Sequence, residues 1–284
     1  MAKTSVLNAR RTAKIPVCPP GMRQAVILIT RYQESLAKGG EVTSFMSVKH
    51  QPASAKLSSI VLKTAWPVLP AQVLALSELE QDEVYPHLDK REIGTYLNRS
   101  LSIGREAARD FNYEGDLEAL LNRMIRSGVR IRFQDGSVPR EIGWVRAQYR
   151  TRPPTITVYR SSVEQLSRFF RTSGHPVRKE DLIALHLIHE WFHHLEVSRL
   201  GRTDLRLPKV PTTRLGPFSL KHPLKKTREI AAHAFTQEMM GLSFYPLLLD
   251  HLLLHLDQGW SKQRIREQFE KLRARYRSQL PDGG

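Results

Sequence analysis

The sequence predicts an α+β protein in which a small mixed or antiparallel sheet packs on two site-bearing helices. Three observations predict it. β-patterned runs cluster between residues 129 and 159. Helical periodicity dominates before that cluster, from about 72 to 126, and after it, from about 161 onward. Two of the later helices, over 180–200 and 227–241, gather histidine, glutamate and small apolar residues.

Taken in order, residues 1–70 mix Lys, Arg, Ser, Ala and Pro without sustained periodicity. Pro19-Pro20 and Gly39-Gly40 interrupt any long element, so a flexible basic segment with one short helix around 22–37 is expected. Ser77–Glu80 starts a helix. Asp116–Ser127 forms another, with Leu117, Leu120, Leu121, Met124 and Ile125 on its apolar face and Gly128 at its end. Strands are expected at Val129–Phe133, Trp144–Arg150 and Thr155–Tyr159, the last following the break at Pro153-Pro154. Ser161, Ser162 and Glu164 open a helix that runs through Phe170. The next helix, Glu180–Leu200, has acids in its first turn and Gly201 after its last. Residues 201–222 read as a long irregular connection, a lid or a substrate contact. Pro223 opens and Gly241 closes the following helix. A Leu-rich helix from Pro246 and a basic helix near 261–279 complete the chain. The organisation expected is a basic segment 1–70, a helical lead-in plus site domain 71–260, and a basic C-terminal helix and tail 261–284.

The chemistry is concentrated in His189-Glu190-Trp191-Phe192-His193. Residues four apart share a helix face, so His189 and His193 can offer two imidazole nitrogens to one metal ion. Glu190 follows the first histidine and can reach a metal-bound water without being a ligand. This is the HExxH pattern, with glutamate as general base. Chance would produce it roughly 0.03 times in a chain of this composition. A catalytic zinc usually takes three protein ligands. The best downstream candidate is Glu229, which shares one helix stripe with Ala232, His233, Thr236 and Met240. Ala231, Ala232 and Ala234 would let this helix approach the HExxH helix closely. His233, one turn after Glu229, could orient a ligand or hydrogen-bond a reaction intermediate. The competing reading makes Glu229 a solvated partner of Lys225 or Lys226.

HExxH followed by a helix carrying Glu-x-x-Ala-(His/Asn/Asp)-x-Phe resembles the gluzincin branch of zincin metallopeptidases. More narrowly, Glu229-Ile-Ala-Ala232-His233-Ala-Phe235 and Gly241-Leu-Ser-Phe-Tyr-Pro246 resemble the second motif of the ImmA/IrrE-type metallo-endopeptidases of bacteria and phages. The likeness spans residues 115–246. It departs from the family at Phe192, where Gly is frequent, and at His233, where Asn or Asp is usual. The resemblance implies a zincin-like catalytic domain and a zinc metalloendopeptidase acting on a protein or peptide, with a transcriptional regulator as one substrate class. Zinc would be held by His189, His193 and Glu229, with Glu190 as base. The oxyanion donor is left open among His233, Tyr149, Tyr159 and an arginine. The extended peptide would pair with an edge strand, either Thr155–Tyr159 or Trp144–Arg150. The rival reading is a nucleic-acid-associated regulator whose metal site is structural or sensory.

The remaining histidines receive lesser roles. His186 is expected in the core or behind a ligand, and His194 is expected to be structural. His251 and His255, with Asp250 and Gln258, are expected to form a solvated face rather than a second metal site.

The chain of 284 residues carries a net charge of +16 and a single cysteine. One cysteine excludes an intramolecular disulfide, and no apolar run reaches membrane-spanning length, so a soluble cytoplasmic protein is expected. Residues 1–70 carry +8 and residues 262–277 carry +5, which leaves +3 for the rest. The basic ends are therefore the candidates for non-specific nucleic-acid contact, while the site region is close to neutral.

Overall fold

A computed structural model describes residues 54–136, 138–140, 143–215 and 218–280. The structure is mixed α and β. Its lead-in helices are α1 (Ala71–Leu79), α2 (Ile93–Ala108) and α3 (Leu117–Arg126). The α3 N-terminus is capped by Asp116, whose carboxylate accepts from the Ala119 N–H at 2.9 Å. Strands β1 (Arg130–Gln134), β2 (Val138–Arg140), β3 (Gly143–Val145), β4 (Ala147–Thr151) and β5 (Pro154–Tyr159) follow. Then come α4 (Arg160–Thr172), α5 (Lys179–Leu195), a π turn over Glu196–Leu200 and the short α6 (Thr203–Arg206). The hairpin strands β6 (Val210–Leu215) and β7 (Phe218–His222) precede α7 (Thr227–Met240), α8 (Leu247–Asp257) and α9 (Lys262–Gln279).

The main sheet has the order β1-β5-β4, with β1 parallel and β4 antiparallel to the central β5. β2 pairs only with β3, and β6 only with β7. Thus the expected strand Trp144–Arg150 is two strands in two sheets, divided at Arg146. α5 runs beside the sheet and is buried almost all round, with Leu182, Ala184, Leu187, Ile188 and Phe192 fully enclosed. A helix apolar on every side belongs at the centre of a core. Its first turn anchors the lead-in: Asp181, 1% exposed, accepts from the Leu57 N–H, the Tyr113 hydroxyl and the Arg178 guanidinium.

Several expectations need correction. The flexible segment 1–70 lies outside the described residues up to 53, as does its short helix around 22–37. From residue 54 onward it is packed, with Leu57, Ile60, Leu62, Trp66 and Leu69 buried. Ser77 does not start a helix but lies near the end of α1, where its hydroxyl donates to the Leu74 carbonyl. Residues 201–222 form α6 and a hairpin rather than an irregular loop. α7 starts at Thr227, four residues after Pro223. Gly241 does end it, in the left-handed conformation at φ 61° that a glycine adopts without strain. The basic C-terminal helix α9 is an integral part of the unit. Ile265 and Phe269 are buried, Arg273 donates to the Val68 carbonyl, and Arg275 pairs with Glu80.

Two of the alanines of α7, Ala231 and Ala234, also serve a second neighbour. Their close approach is to α2, where a Cβ added to Gly104 would overlap the Ala231 carbonyl and the Ala234 methyl. Backbone faces backbone there, so neither side can relax by rotating a side chain. Gly104→Ala is expected to destabilise the protein by about 2 kcal/mol or more. Denaturant unfolding checks this, and an unchanged midpoint would show that the two helices can part at no cost.

Candidate metal centre

α5 and α7 bring three donors together. His189 Nε2 lies 3.3 Å from Glu229 Oε2, and His193 Nε2 lies 3.4 Å from Glu229 Oε1. One donor atom from each of His189, His193 and Glu229 lies within 4.8 Å of the others, and this group could hold a metal ion. Neighbouring ligands of a tetrahedral metal ion bound at about 2.0–2.1 Å lie about 3.3 Å apart, and both distances are close to that spacing. The competing role for Glu229 is not realised, because Lys226 pairs instead with Glu78 at 2.7 Å. Glu229 sits in the first turn of α7, where the helix N-terminus favours a carboxylate.

The electrostatics follow from this convergence. Burial alone would depress His193, but the carboxylates of Glu229 and Glu196 outweigh it and push His193 up to about 10. Burial would raise Glu229, but His193 and His189 hold it well below the usual carboxylate value. The donors thus form a charged imidazolium–carboxylate pair. A divalent cation would replace the proton as the partner of Glu229, so binding should release that proton.

Glu190 is 9% exposed and lines the same cavity, of about 700 Å³, as the three donors. Burial raises its pKa, against the opposing pull of His189 and His193. The backbone N–H of Tyr149 also pulls it down. Tyr149 belongs to β4, the edge strand, and residues 147–149 and Thr151 also line the cavity. β5 is central and paired on both sides, so the expected peptide contact through Thr155–Tyr159 is ruled out by topology.

His233 lines the cavity, its ring 4.5 Å from that of His189 and its Nδ1 buried without a hydrogen-bond partner. Burial, with His189 beside it, lowers His233 to about 3. Tyr159 does not join the site. It is 2% exposed and alternates with Ile156 and Val158, so it faces away from the side on which Tyr149 meets α5. The Tyr149 hydroxyl lies 3.0 Å from His194 Nδ1, which ties His194 to the sheet. Phe192 is fully buried against Phe235, so its bulk fills the contact between α5 and α7 rather than the cavity.

The solvated face expected on α8 is also corrected. His255 is 8% exposed and stacks on Trp260 at 4.2 Å, while His251 approaches Ser77 Oγ at 3.2 Å and lines the cavity. Asp250 lines it too and pairs with Arg146 at 2.5 Å.

Sequence reasoning missed Glu196. Its Oε2 lies 3.1 Å from His193 Nδ1, the nitrogen opposite the ligand atom. Arg228 donates to the same oxygen at 2.9 Å from Nε and 2.8 Å from Nη2, and the Thr203 N–H donates to Oε1 at 2.8 Å. Such a carboxylate fixes the tautomer and direction of a ligating histidine. The three-residue spacing from His193 was the available signal. No family model, curated protein or solved structure matches this chain.

Proposed function

We propose that the protein is a zinc-dependent metallo-endopeptidase with a zincin-like catalytic domain, of the gluzincin type and similar to the ImmA/IrrE endopeptidases. The convergence of His189, His193 and Glu229 beside a buried Glu190 carries this reading. Two imidazoles and one carboxylate are the donor set of a catalytic zinc that retains an open position. Zinc supplies Lewis acidity there, together with a water acidic enough to ionise near neutral pH.

The chain's own residues supply the rest. Glu190 accepts the proton of the attacking water and passes it to the leaving amine. Burial strengthens it as a base. The free edge of β4 takes the substrate as an extended strand, which aligns a backbone carbonyl along the cavity. His233 lines the cavity with its ring 4.5 Å from that of His189 and is the donor best placed for the developing oxyanion. The rival reading, a nucleic-acid-associated regulator with a structural or sensory metal, accounts for the ligands but gives Glu190 no task.

A direct test uses an unstructured protein substrate with the full chain. Hydrolysis is expected, should stop on zinc chelation, and should return on adding zinc. Turnover that survives complete chelation would contradict the proposal.

A further inference from the structure

Beyond the metal donors the cavity lining continues over residues of α4, α5 and α8, here called the second lobe. Leu247, Asp250, Leu254 and Asp257 of α8 line it at intervals of three and four residues, which places them on one helical face. Leu166 and Leu185 lie across from them, together with His186 and Arg146. The lobe thus combines an aliphatic wall with two carboxylates.

Arg146 is the cation of this lobe among the described residues, and it is already committed. Its Nε donates to Asp250 Oδ1 at 2.5 Å, and its Nη1 donates to Gln165 Oε1 at 2.7 Å. Gln165 Nε2 in turn donates to Asp257 Oδ2 at 2.8 Å. Arg146 and Gln165 therefore hold both carboxylates by one oxygen each. The second oxygens, Asp250 Oδ2 and Asp257 Oδ1, have no hydrogen-bond donor among the described residues. Two carboxylates against one guanidinium leave the lobe with a net negative charge.

His186 adds an unpartnered polar group to the same wall. It is 7% exposed on the cavity wall, and its Nε2 is buried with no hydrogen-bond partner. Burial, with Arg146 nearby, holds it neutral, so it adds no positive charge. The other cavity cations are matched elsewhere: Arg202 to Asp204, Lys226 to Glu78 and Arg228 to Glu196.

From this arrangement we infer that the lobe is a specificity subsite for a cationic side chain on an aliphatic stem, a lysine or arginine of the peptide substrate. The leucines take the stem, and Asp250 Oδ2 and Asp257 Oδ1 accept from the ammonium or guanidinium. An acidic side chain would meet the uncompensated charge. A purely apolar one would cover the carboxylate oxygens without satisfying them, which costs more than the contact returns. The inference takes its source of the cation from the peptidase reading, but the charge and shape of the lobe do not depend on turnover.

Two readouts on the zinc-loaded full chain separate the two ideas. The first is binding of acetyl-arginine, acetyl-lysine, acetyl-norleucine and acetyl-glutamate methylamides, followed by NMR shifts of the histidine rings. The second is cleavage of a peptide library randomised on both sides of the scissile bond. The arginine and lysine amides should bind at least about tenfold tighter than the norleucine and glutamate amides, as expected for a charge-assisted hydrogen bond. Cleavage should be enriched beside basic residues. Asp257→Asn, at an exposed position, and Asp250→Asn should each erode both preferences. Equal binding of all four amides, or tighter binding of the glutamate amide, would overturn the subsite. A preserved basic binding preference with no cleavage of any peptide would support the subsite and contradict the peptidase reading. Cleavage without basic preference, alongside equal amide binding, would do the reverse.

Discussion

Glu190→Gln is expected to retain zinc and to lower kcat for peptide hydrolysis by about a thousandfold, within the range contributed by a positioned general base. The change keeps the size of the side chain. What it removes is the capacity to take a proton. Glu190 touches the cavity but is not one of the converging donors, so metal content should not fall. Its burial sharpens the expectation: a carboxylate with a raised pKa is a better proton acceptor, and the described cavity carboxylates Glu78 and Asp250 are already paired with Lys226 and Arg146. Substrate affinity should change little, because the edge of β4 is untouched. Near-normal turnover with bound zinc would remove Glu190 from the mechanism. Loss of zinc would instead make it part of the metal's coordination.

Glu196→Ala is expected to be nearly as damaging for a different reason. Glu196 is 2% exposed and is held by the Arg228 guanidinium, the Thr203 N–H and His193 Nδ1. Removing it leaves a half-buried guanidinium and a backbone N–H without their partner. Breaking a buried pair from one side costs on the order of 3 kcal/mol. It also frees the ring of His193, so zinc affinity should weaken by roughly 10- to 100-fold. Burial would raise the Glu196 carboxyl, but His193 and Arg228 hold it below its ordinary value of 4.5. The stability it contributes is therefore complete above that value and is lost as pH falls through the lower folded value. Thermal unfolding and competitive zinc titration check both effects. If neither moves, Glu196 does not position the ligand.

The parts of the fold set by local periodicity could be read from the sequence. The 3.6-residue pattern of α5, the apolar face of α3 and the end of α7 at Gly241 depend on near neighbours, and those neighbours are visible in the chain. The donors His189 and His193 are four residues apart, so helix geometry alone brings them together. Glu229, forty residues away, was reached through its own pattern, and the contact was made by tertiary packing. What the sequence hid depends on what lies above a helix face. Asp250 and His251 look like residues meeting solvent until the β4 side and α4 close over α8 as a cavity. Glu196 looks like an ordinary helix glutamate until the π turn and Arg228 give it a task. Tyr159 was placed on a strand correctly, yet strand parity directs it away from the metal. The close approach of α7 to α2 rests on Gly104, which carries no signal beyond the absence of a side chain.

Zinc content of the purified protein, beside His193→Ala and Glu229→Ala, tests the central claim most directly. The His189–His193–Glu229 site predicts about one zinc per chain in the parent and loss of that zinc in both variants, with the fold kept as judged by circular dichroism. Full zinc retained in folded Glu229→Ala would contradict the account, because the third donor would then have to be another residue.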